Sequence, residues 1–489
     1  MAEQPHLLLR LAESSLAVAE SLRGSYLANT ARFVDDLRRT VRQAASGRRQ
    51  SPPILRLHRV AHTDWAPLRG ELATFVDGGL GYARVGTRTP ILLRVGTYTV
   101  RTGEQRLERR EGFGYYPVML GDLEGGSGDR EGFVDLLRLT AELLGGLTIL
   151  ERTPDLRVLM FHGPLVPTTR HYVGYSPLTE HDVDLLLTSY APDPTLARDI
   201  KEEFLSQATR HLYPQMTSQA EVWARRRLFE PLAWLAYLYR RLIRTARRRH
   251  PTPIVAGIVE RGSGMHEFTE HVILARIFQE LRRRHNEDYF NRTFHRTDLV
   301  SPRAVLDVLG YTDAGLLALL LQPGEYTDPW AMRKHWTGMR QEEVTTPGDP
   351  TAHPVSYDPL VSPSGGFPAV HGCYVCASCT TEPIRVEVFP DLGEHQVAEA
   401  AGRAYLYAGL LPRYGFPVGL DVADKHAHVP GWLTDAYGKL IRHHLGASLQ
   451  RGEIDDAELR QLVIQTIYFR HRDWLFRPQV TPDGSASLP

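Results

Sequence analysis

The sequence predicts an α/β protein organised around one mixed sheet. Short β-prone runs alternate along the chain with longer stretches whose apolar residues recur at helical spacing. The first strong run, Leu72–Val76, ends in the carboxylate of Asp77. Further β-prone runs between Gly and Pro residues follow it, which is typical of an antiparallel meander. Continuous apolar runs further along the chain fit buried strands of the same sheet.

Composition is that of an ordinary globular protein and limits the classes of function. Of the 489 residues, 42% are hydrophobic and 23% are charged. Basic and acidic residues both number 57, so nucleic acid would have to be bound by a local basic cluster and not by overall charge. Three cysteines argue against a disulfide scaffold and fit a reducing cytoplasm. No apolar run is long enough for a membrane span, so we expect a cytoplasmic protein.

The patterns divide the chain into three parts. Residues 1–50 predict an N-terminal extension of one or two helices, because their apolar residues recur at helical spacing. Residues 66–445 predict the main domain, with a helical insertion at about 194–250. Residues 446–489 predict a C-terminal helix and a disordered tail.

Asp77 is the first candidate for a catalytic residue. The glycines that follow it, Gly78 and Gly79, are expected to end the strand and to let a phosphate or a metal approach the backbone. Three short β runs come next: Tyr82–Val85, Ile91–Val95 and Tyr98–Arg101. The charged, Gly-rich stretch Arg106–Gly128 is expected to form a long loop.

Two further candidates lie on the next elements. Arg130–Leu150 carries an apolar stripe and predicts a helix, with Glu142 toward its C-terminal half. Val158–Phe161 predicts a buried strand that ends at His162. A second strand therefore presents a side chain that can bind metal just before a glycine.

The remaining elements are assigned from the same patterns. They are a strand at Pro253–Glu260, helices at His266–Arg284 and Thr312–Gln322, a hairpin of Val370–Cys376 with Pro383–Phe389, a helix at Glu394–Leu410, a loop at Gly415–Pro430 that leads into a helix, and a final helix at Ile454–Phe476.

The helical stretch before residue 250 is rich in arginine, and two interpretations stay open. The arginines form either the solvated face of a core-packed helix or a surface that contacts DNA phosphates. The candidate DNA-binding residues are Arg225, Arg226, Arg227, Arg247, Arg248 and Arg249.

The cysteines Cys373, Cys376 and Cys379 have a spacing that suggests a metal site. They fall in a predicted strand, where a spacing of three alternates faces, and the chain has no second cysteine pair. We therefore favour small buried strand residues over a zinc or iron–sulfur site.

A series of short motifs spans about residues 70–440. The motifs are Phe75–Gly79, Glu142, Leu159–Leu165, Tyr311–Thr327, Ile384–Glu387 and Phe416–Ala427. In their order and spacing they resemble the motifs of the NurA nucleases, the partners of the HerA translocase ATPase. The resemblance implies an RNase H-like core, a toroidal homodimer and docking onto a hexameric HerA-type ATPase. It also implies Mn²⁺-dependent cleavage of DNA ends in recombinational repair, of the 5′-end exonuclease and single-strand endonuclease type, with Mg²⁺ as the alternative ion.

The same resemblance identifies the site residues and three departures. His162 stands where the family has Asp, and Asp424 stands where it has His. Phe416 replaces a tyrosine, and Tyr414 lies two residues away. An exchange between positions 162 and 424 would keep the set of metal ligands if both side chains project into one site with Asp77 and Glu142.

The position of the last ligand depends on the register near residue 424. Asp421, His426 and His428 are alternatives to Asp424 as a metal ligand. The sequence thus predicts a metal-dependent DNA nuclease with Asp77, Glu142, His162, Asp424 and Tyr414 in its active site. The alternative is a catalytically degenerate, dimeric DNA clamp or adaptor for the ATPase, which the departures at 162 and 416 would favour.

Overall fold

A ten-stranded mixed sheet forms the centre of the molecule. The computed structural model describes residues 4–21, 28–46, 55–83, 91–106, 111–120, 127–166, 180–191, 193–212, 231–260, 275–309, 312–332, 367–454, 456–468, 479–480 and 486–487. The strands among these residues are β1 (Leu57–Arg59), β2 (Leu72–Tyr82), β3 (Ile91–Arg101), β4 (Glu111–Leu120), β5 (Leu156–His162), β6 (Ile254–Val259), β7 (Glu325–Thr327), β8 (Trp330–Ala331), β9 (His371–Val375), β10 (Ile384–Val388), β11 (Gln479–Val480) and β12 (Ala486–Ser487).

The strand order in the sheet is β1-β7-β9-β10-β6-β5-β2-β3-β4, and β8 pairs with β9. β2, β3 and β4 form an antiparallel meander. β5 and β6 then continue the sheet parallel to β2, and β10 returns antiparallel beside β6. The predicted α/β class with a mixed sheet is confirmed. The predicted hairpin of residues 370–389 is also present, as β9 paired with β10.

Helices cover both faces of the sheet. Within the described residues they are α1 (Gln4–Ser21), α2 (Ala28–Ser46), α3 (Ser127–Arg152), α4 (Glu180–Tyr190), α5 (Pro194–Leu212), α6 (Pro231–Arg247), α7 (Ala275–His285), α8 (Tyr289–Phe294), α9 (Pro302–Leu309), α10 (Asp313–Ala318), α11 (Gln396–Gly409), α12 (Val418–Ala427), α13 (Gly431–Gln450) and α14 (Ala457–Tyr468). None of these described helices has the length and apolar character that a membrane crossing would require.

The alternation of side chains along the strands separates two cores. Residues such as Val76 and Phe161 face α3, α4, α5 and α6 and pack around the fully buried Trp234. Phe75 and Met160 face the opposite side, where α11 and α12 cover them. A third cluster joins α2 to α7, α8 and α10, so the second predicted N-terminal helix packs on the body of the protein through Phe33 and neighbouring residues.

Three predictions about the elements near Asp77 were wrong. Gly78 and Gly79 do not end their strand, because β2 continues to Tyr82. The two runs predicted within residues 91–101 are one strand, β3. The stretch expected to be a long loop contains β4, which pairs with β3 along its whole length.

A fourth error lies near the C-terminal end of the main domain. Residues 418–427, expected to be part of a loop, form α12. The helix predicted from Thr312 begins there as α10, because the Thr312 hydroxyl caps it by accepting a hydrogen bond from the Gly315 amide at 3.2 Å.

Candidate metal centre

Asp77 lies in β2 with its side chain on the sheet face that α12 covers. The residue is only 5% exposed. Its Oδ1 atom accepts a hydrogen bond from the Gly78 amide at 2.8 Å, which fixes the carboxylate next to the backbone. Its Oδ2 atom is 3.0 Å from Nδ1 of His162.

His162 is the last residue of β5, and the register of the sheet places it beside Asp77. β2 and β5 run parallel, with Val76 opposite Phe161, so the next residue of each strand meets at the same edge. The imidazole packs against the buried ring of Phe416, with a centroid distance of 5.2 Å and a tilt of 50°. The carboxylate on one side and the phenyl ring on another fix the orientation of the imidazole.

The loop after His162 is held by two buried side chains, Glu387 from the motif Ile384–Glu387 and Tyr239, which no motif includes. Gly163 has a φ of +96°, and its amide donates to the Ile258 carbonyl at 2.7 Å. The Leu165 amide donates to Oε2 of Glu387 at 3.0 Å, and the Tyr239 hydroxyl donates to the Leu165 carbonyl. The backbone amide and carbonyl of Leu165 are both hydrogen-bonded, and these bonds fix the path of the chain after His162.

α12 brings Asp424 to the same place by packing closely on β2 and β3. A methyl group on Gly79 would lie 2.6 Å from the carbonyl carbon of Ala427, and one on Gly96 would lie 2.6 Å from the Ala427 amide nitrogen. Only glycine lets the helix backbone approach the strands this closely. Gly79 therefore admits a helix of the protein itself, whereas the sequence suggested the approach of a phosphate or a metal.

Asp77, His162 and Asp424 each offer one ligand atom, and these atoms lie within 4.8 Å of one another. Asp77 is buried, His162 is half-buried and Asp424 is exposed. In the part of the chain that the structure describes, this is the group of acidic, histidine and cysteine residues placed to hold a metal ion. The two exchanged positions, 162 and 424, thus project into one site.

The carboxylates of Asp77 and Asp424 repel each other. Burial and the negative charge of Asp77 raise the pKa of Asp424 above its usual range. Burial lowers the pKa of His162, but the hydrogen bond to Asp77 and the charges of Asp77 and Asp424 raise it more, so the net shift is upward. A divalent cation would relieve this repulsion. Two carboxylates and one imidazole suit Mn²⁺, which takes oxygen ligands and accepts imidazole more readily than Mg²⁺ does.

Glu142 lies beside this group rather than in it. Its carboxylate, 3% exposed, is bound by the guanidinium of Arg138 one helical turn earlier. Burial raises the pKa of Glu142 to about 7, although the charge of Arg138 acts in the opposite direction. The charges of Asp77 and His162 also act on Glu142, which places it in the same electrostatic environment.

The other predicted residues near α12 border the centre. The Tyr414 hydroxyl is 3.4 Å from Oδ1 of Asp421, and burial together with nearby acidic groups raises the pKa of Tyr414 to about 12. His426 lies on α12 and His428 at its C-terminal end, and neither belongs to the group of three. The His428 carbonyl accepts a hydrogen bond from Arg94 at 3.0 Å.

The candidate DNA-binding arginines fall into two groups. Arg225, Arg226 and Arg227 lie outside the described residues. Arg247 and Arg248 are exposed and Arg249 is half-buried. Arg247 donates to the Asp391 carbonyl at 2.6 Å and Arg249 to the Thr153 carbonyl. Their role in DNA binding stays a prediction.

The cysteines lie away from the centre. Cys373 and Cys376 are buried, as the favoured interpretation expected, and Cys379 is exposed. Burial raises the pKa of the Cys373 thiol to about 12 and that of the Cys376 thiol to about 11.

Comparison with known proteins gives matches among solved structures. No model of a protein family matches the chain. No curated protein matches it either. The NurA nuclease from Sulfolobus solfataricus is 12% identical, with a TM-score of 0.44 over 92% of this chain and 98% of that one. A NurA structure with manganese is 10% identical, with a TM-score of 0.34 over 83% and 94%. A NurA structure bound to dAMP and manganese is 9% identical, with a TM-score of 0.33 over 86% and 93%.

Likeness at this level of identity concerns the path of the backbone and does not assign an activity.

Proposed function

We propose that this protein is a divalent-metal-dependent deoxyribonuclease that hydrolyses phosphodiester bonds at DNA ends. The observation that carries the proposal is the meeting of Asp77, His162 and Asp424. They come from three separate elements and place one ligand atom each within 4.8 Å. A mixed carboxylate and imidazole group that is open on one side is the arrangement that metal-assisted hydrolysis requires.

An RNase H-like core is part of this proposal. In such nucleases the first strand presents a metal-binding carboxylate and an antiparallel meander follows it. Here β2 carries Asp77 and continues into the meander with β3 and β4. The parallel strand β5, which supplies His162, then pairs on the other side of β2. α5 and α6 belong to the proposed insertion at 194–250.

The residues of the centre have distinct roles in the reaction. Asp77, His162 and Asp424 would hold Mn²⁺, which supplies a positive charge for the phosphate and lowers the pKa of a bound water. The Gly78 amide holds the carboxylate of Asp77, and the Phe416 ring holds the imidazole of His162. Tyr414 keeps its proton at neutral pH, so its hydroxyl donates a hydrogen bond at the edge of the site. Asp424 is exposed, so a DNA phosphate can reach the centre from its side.

The biological setting follows from the motif resemblance. We propose that the protein acts in the cytoplasm as a homodimer, together with a HerA-type hexameric ATPase, and processes DNA ends in recombinational repair. The order of the motifs over about residues 70–440 supports this setting. Size-exclusion chromatography with light scattering, and co-purification with a HerA-type ATPase, test the two associations separately.

A cleavage assay tests the activity. The wild-type protein is expected to degrade end-labelled DNA in the presence of Mn²⁺, and Asp77→Ala is expected to abolish cleavage without loss of folded structure. Asp35→Ala is the matched control, because Asp35 is an exposed carboxylate on α2 and its loss changes the net charge equally. Full cleavage by a folded Asp77→Ala variant would remove the centre from the reaction.

The degenerate clamp is the second candidate, and one observation favours it. Phe416 lies against His162 and carries no hydroxyl where the family has a tyrosine. If wild type binds DNA but does not cleave it with either Mn²⁺ or Mg²⁺, the clamp is correct.

A further inference from the structure

Arg138 binds the carboxylate of Glu142, a residue that the motifs predict to be a metal ligand. None of the motifs includes Arg138. It lies on α3 and is bound to Glu142 on one side and to Oδ1 of Asp135, at 3.2 Å from Nε, on the other. These acids are three residues before and four residues after it, so all three side chains share one face of the helix.

The Arg138–Glu142 pair packs against the backbone of Gly78, the residue after Asp77. A methyl group on Gly78 would be 2.8 Å from Cγ of Arg138 and 2.9 Å from Cγ of Glu142. Successive strand residues face opposite sides, so the pair meets the backbone of Gly78 from the side opposite the Asp77 carboxylate. Because Gly78 has no side chain, only the backbone separates the two groups of charges.

We propose that Arg138 takes the cation position at Glu142, so that the centre binds a single divalent ion and the arginine supplies the second positive charge. The inference rests on the proposed function, because it concerns the same centre. The centre would then hold one metal ion, and the guanidinium of Arg138 would lie where a second ion could bind.

The balance of charge supports a single metal ion. Asp77, Glu142, Asp424 and Asp135 carry four negative charges when ionised. One guanidinium and one divalent ion neutralise three of them, with His162 as a neutral ligand, and the fourth is solvated because the Asp135 side chain is 49% exposed. A second divalent ion would bring more positive charge than these acids carry and would lie at the buried Glu142 beside the Arg138 guanidinium, which is costly.

The burial of the pair supports the same conclusion. The Glu142 side chain is 4% exposed and its carboxylate is bound by Arg138, so a metal ion that bound the same carboxylate oxygen would displace the guanidinium. Burial lowers the pKa of Arg138, but the charges of Glu142, Asp135 and Asp77 raise it more, so the guanidinium stays charged. Its side chain is 22% exposed, which leaves part of it open to a phosphate, the group that guanidinium binds in bidentate fashion.

Counting bound Mn²⁺ tests the inference without relying on activity. The full chain is titrated with Mn²⁺ at neutral pH, and free Mn²⁺ is measured by its electron paramagnetic resonance signal. Wild type is expected to bind one ion per chain. Arg138→Ala is expected to bind two, because Glu142 and Asp135 lose their cation. Arg138→Lys and the double variant Arg138→Ala/Glu142→Gln are expected to bind one.

The control is Arg152→Ala, which removes an exposed arginine from the same helix and is expected to leave the count at one. Two ions on wild type, or one ion on a folded Arg138→Ala variant, would overturn the inference and leave the proposed nuclease intact. If Arg138→Ala does not fold, the ion count on wild type still tests the inference, because two ions per chain would overturn it. Absence of Mn²⁺ binding by wild type would instead overturn the metal centre, and the inference with it.

Discussion

Gly96→Ala is expected to damage the metal centre through the position of α12. Gly96 pairs with Asp77 across β2 and β3, and its missing side chain faces the helix that carries Asp424. An added methyl group would lie 2.6 Å from the Ala427 amide nitrogen, 3.0 Å from the His426 carbonyl carbon and closer still to the Ala423 carbonyl. All three contacts are backbone atoms, so no side-chain rotation relieves them.

The size of the effect follows from these distances. Ordinary contacts begin at 3.4 Å, so the backbone near Asp424 must retreat by about 0.8 Å or more in a core that is closely packed. A displacement of about 1 Å costs up to about 100-fold in rate when it moves a group that the reaction requires. Overpacking of this kind also lowers the free energy of unfolding by about 1–3 kcal/mol.

The assay measures Mn²⁺ affinity, DNA cleavage and thermal unfolding of the same preparation. Gly112→Ala is the matched control, since Gly112 lies in the neighbouring strand β4 and no atom lies within 4 Å of an added methyl group. The control is expected to keep wild-type values in all three measurements. If Gly96→Ala is folded and has wild-type Mn²⁺ affinity and cleavage, close packing of α12 does not position Asp424.

Three further predictions test other parts of the structure. His162→Asp alone is expected not to improve cleavage, because it crowds carboxylates, and Asp424→His alone is expected to impair cleavage, because it removes one. The double exchange is expected to recover more than the sum of the two, and additive behaviour would contradict a shared site. Replacing the three arginines of residues 247–249 by alanine is expected to weaken DNA binding for every sequence and to flatten its salt dependence; an unchanged slope would make them a solvated face. Burial raises the pKa of Glu203, but hydrogen bonds from Arg244 and Tyr237 lower it below the ordinary value of 4.5. Its contribution to stability is therefore complete above about pH 4.5 and disappears as pH falls through the lowered pKa. Urea unfolding of wild type and Glu203→Gln is expected to differ by about 1–3 kcal/mol at neutral pH and to converge in acid; a difference that does not change with pH would refute this.

Within the described residues, the helix predicted at Arg130–Leu150 and the strands predicted at Val158–Phe161 and Pro253–Glu260 were found. α12 shows why another element was missed. Apart from Leu420, its buried face consists of the small residues Gly419, Ala423 and Ala427, spaced by four residues. Small side chains give no apolar periodicity, although they are what close packing on the glycines of β2 and β3 requires. The sequence around Asp424 therefore predicted a loop.

β4 and Arg138 were missed for different reasons. β4 contains Gly112, Gly114 and Pro117, which indicate a loop in isolation. It lies at the end of the strand order, where proline is tolerated, and pairing with β3 imposes the extended conformation. Arg138 four residues before Glu142 is indistinguishable in sequence from an ordinary helix ion pair, and only the neighbouring Gly78 shows its relation to Asp77. Asp77 and His162 were identifiable because each follows a run of strand-forming residues.

The docking of α12 on β2 and β3 also has a consequence for biosynthesis. Asp77 and His162 are translated early, whereas Asp424 leaves the ribosome only after most of the chain has been made. The complete ligand set cannot assemble on a growing polypeptide until α12 has emerged and closed over the glycines at 79 and 96. Any activity of the centre is thereby delayed until synthesis of the main domain is finished, and incomplete translation products are unable to form it.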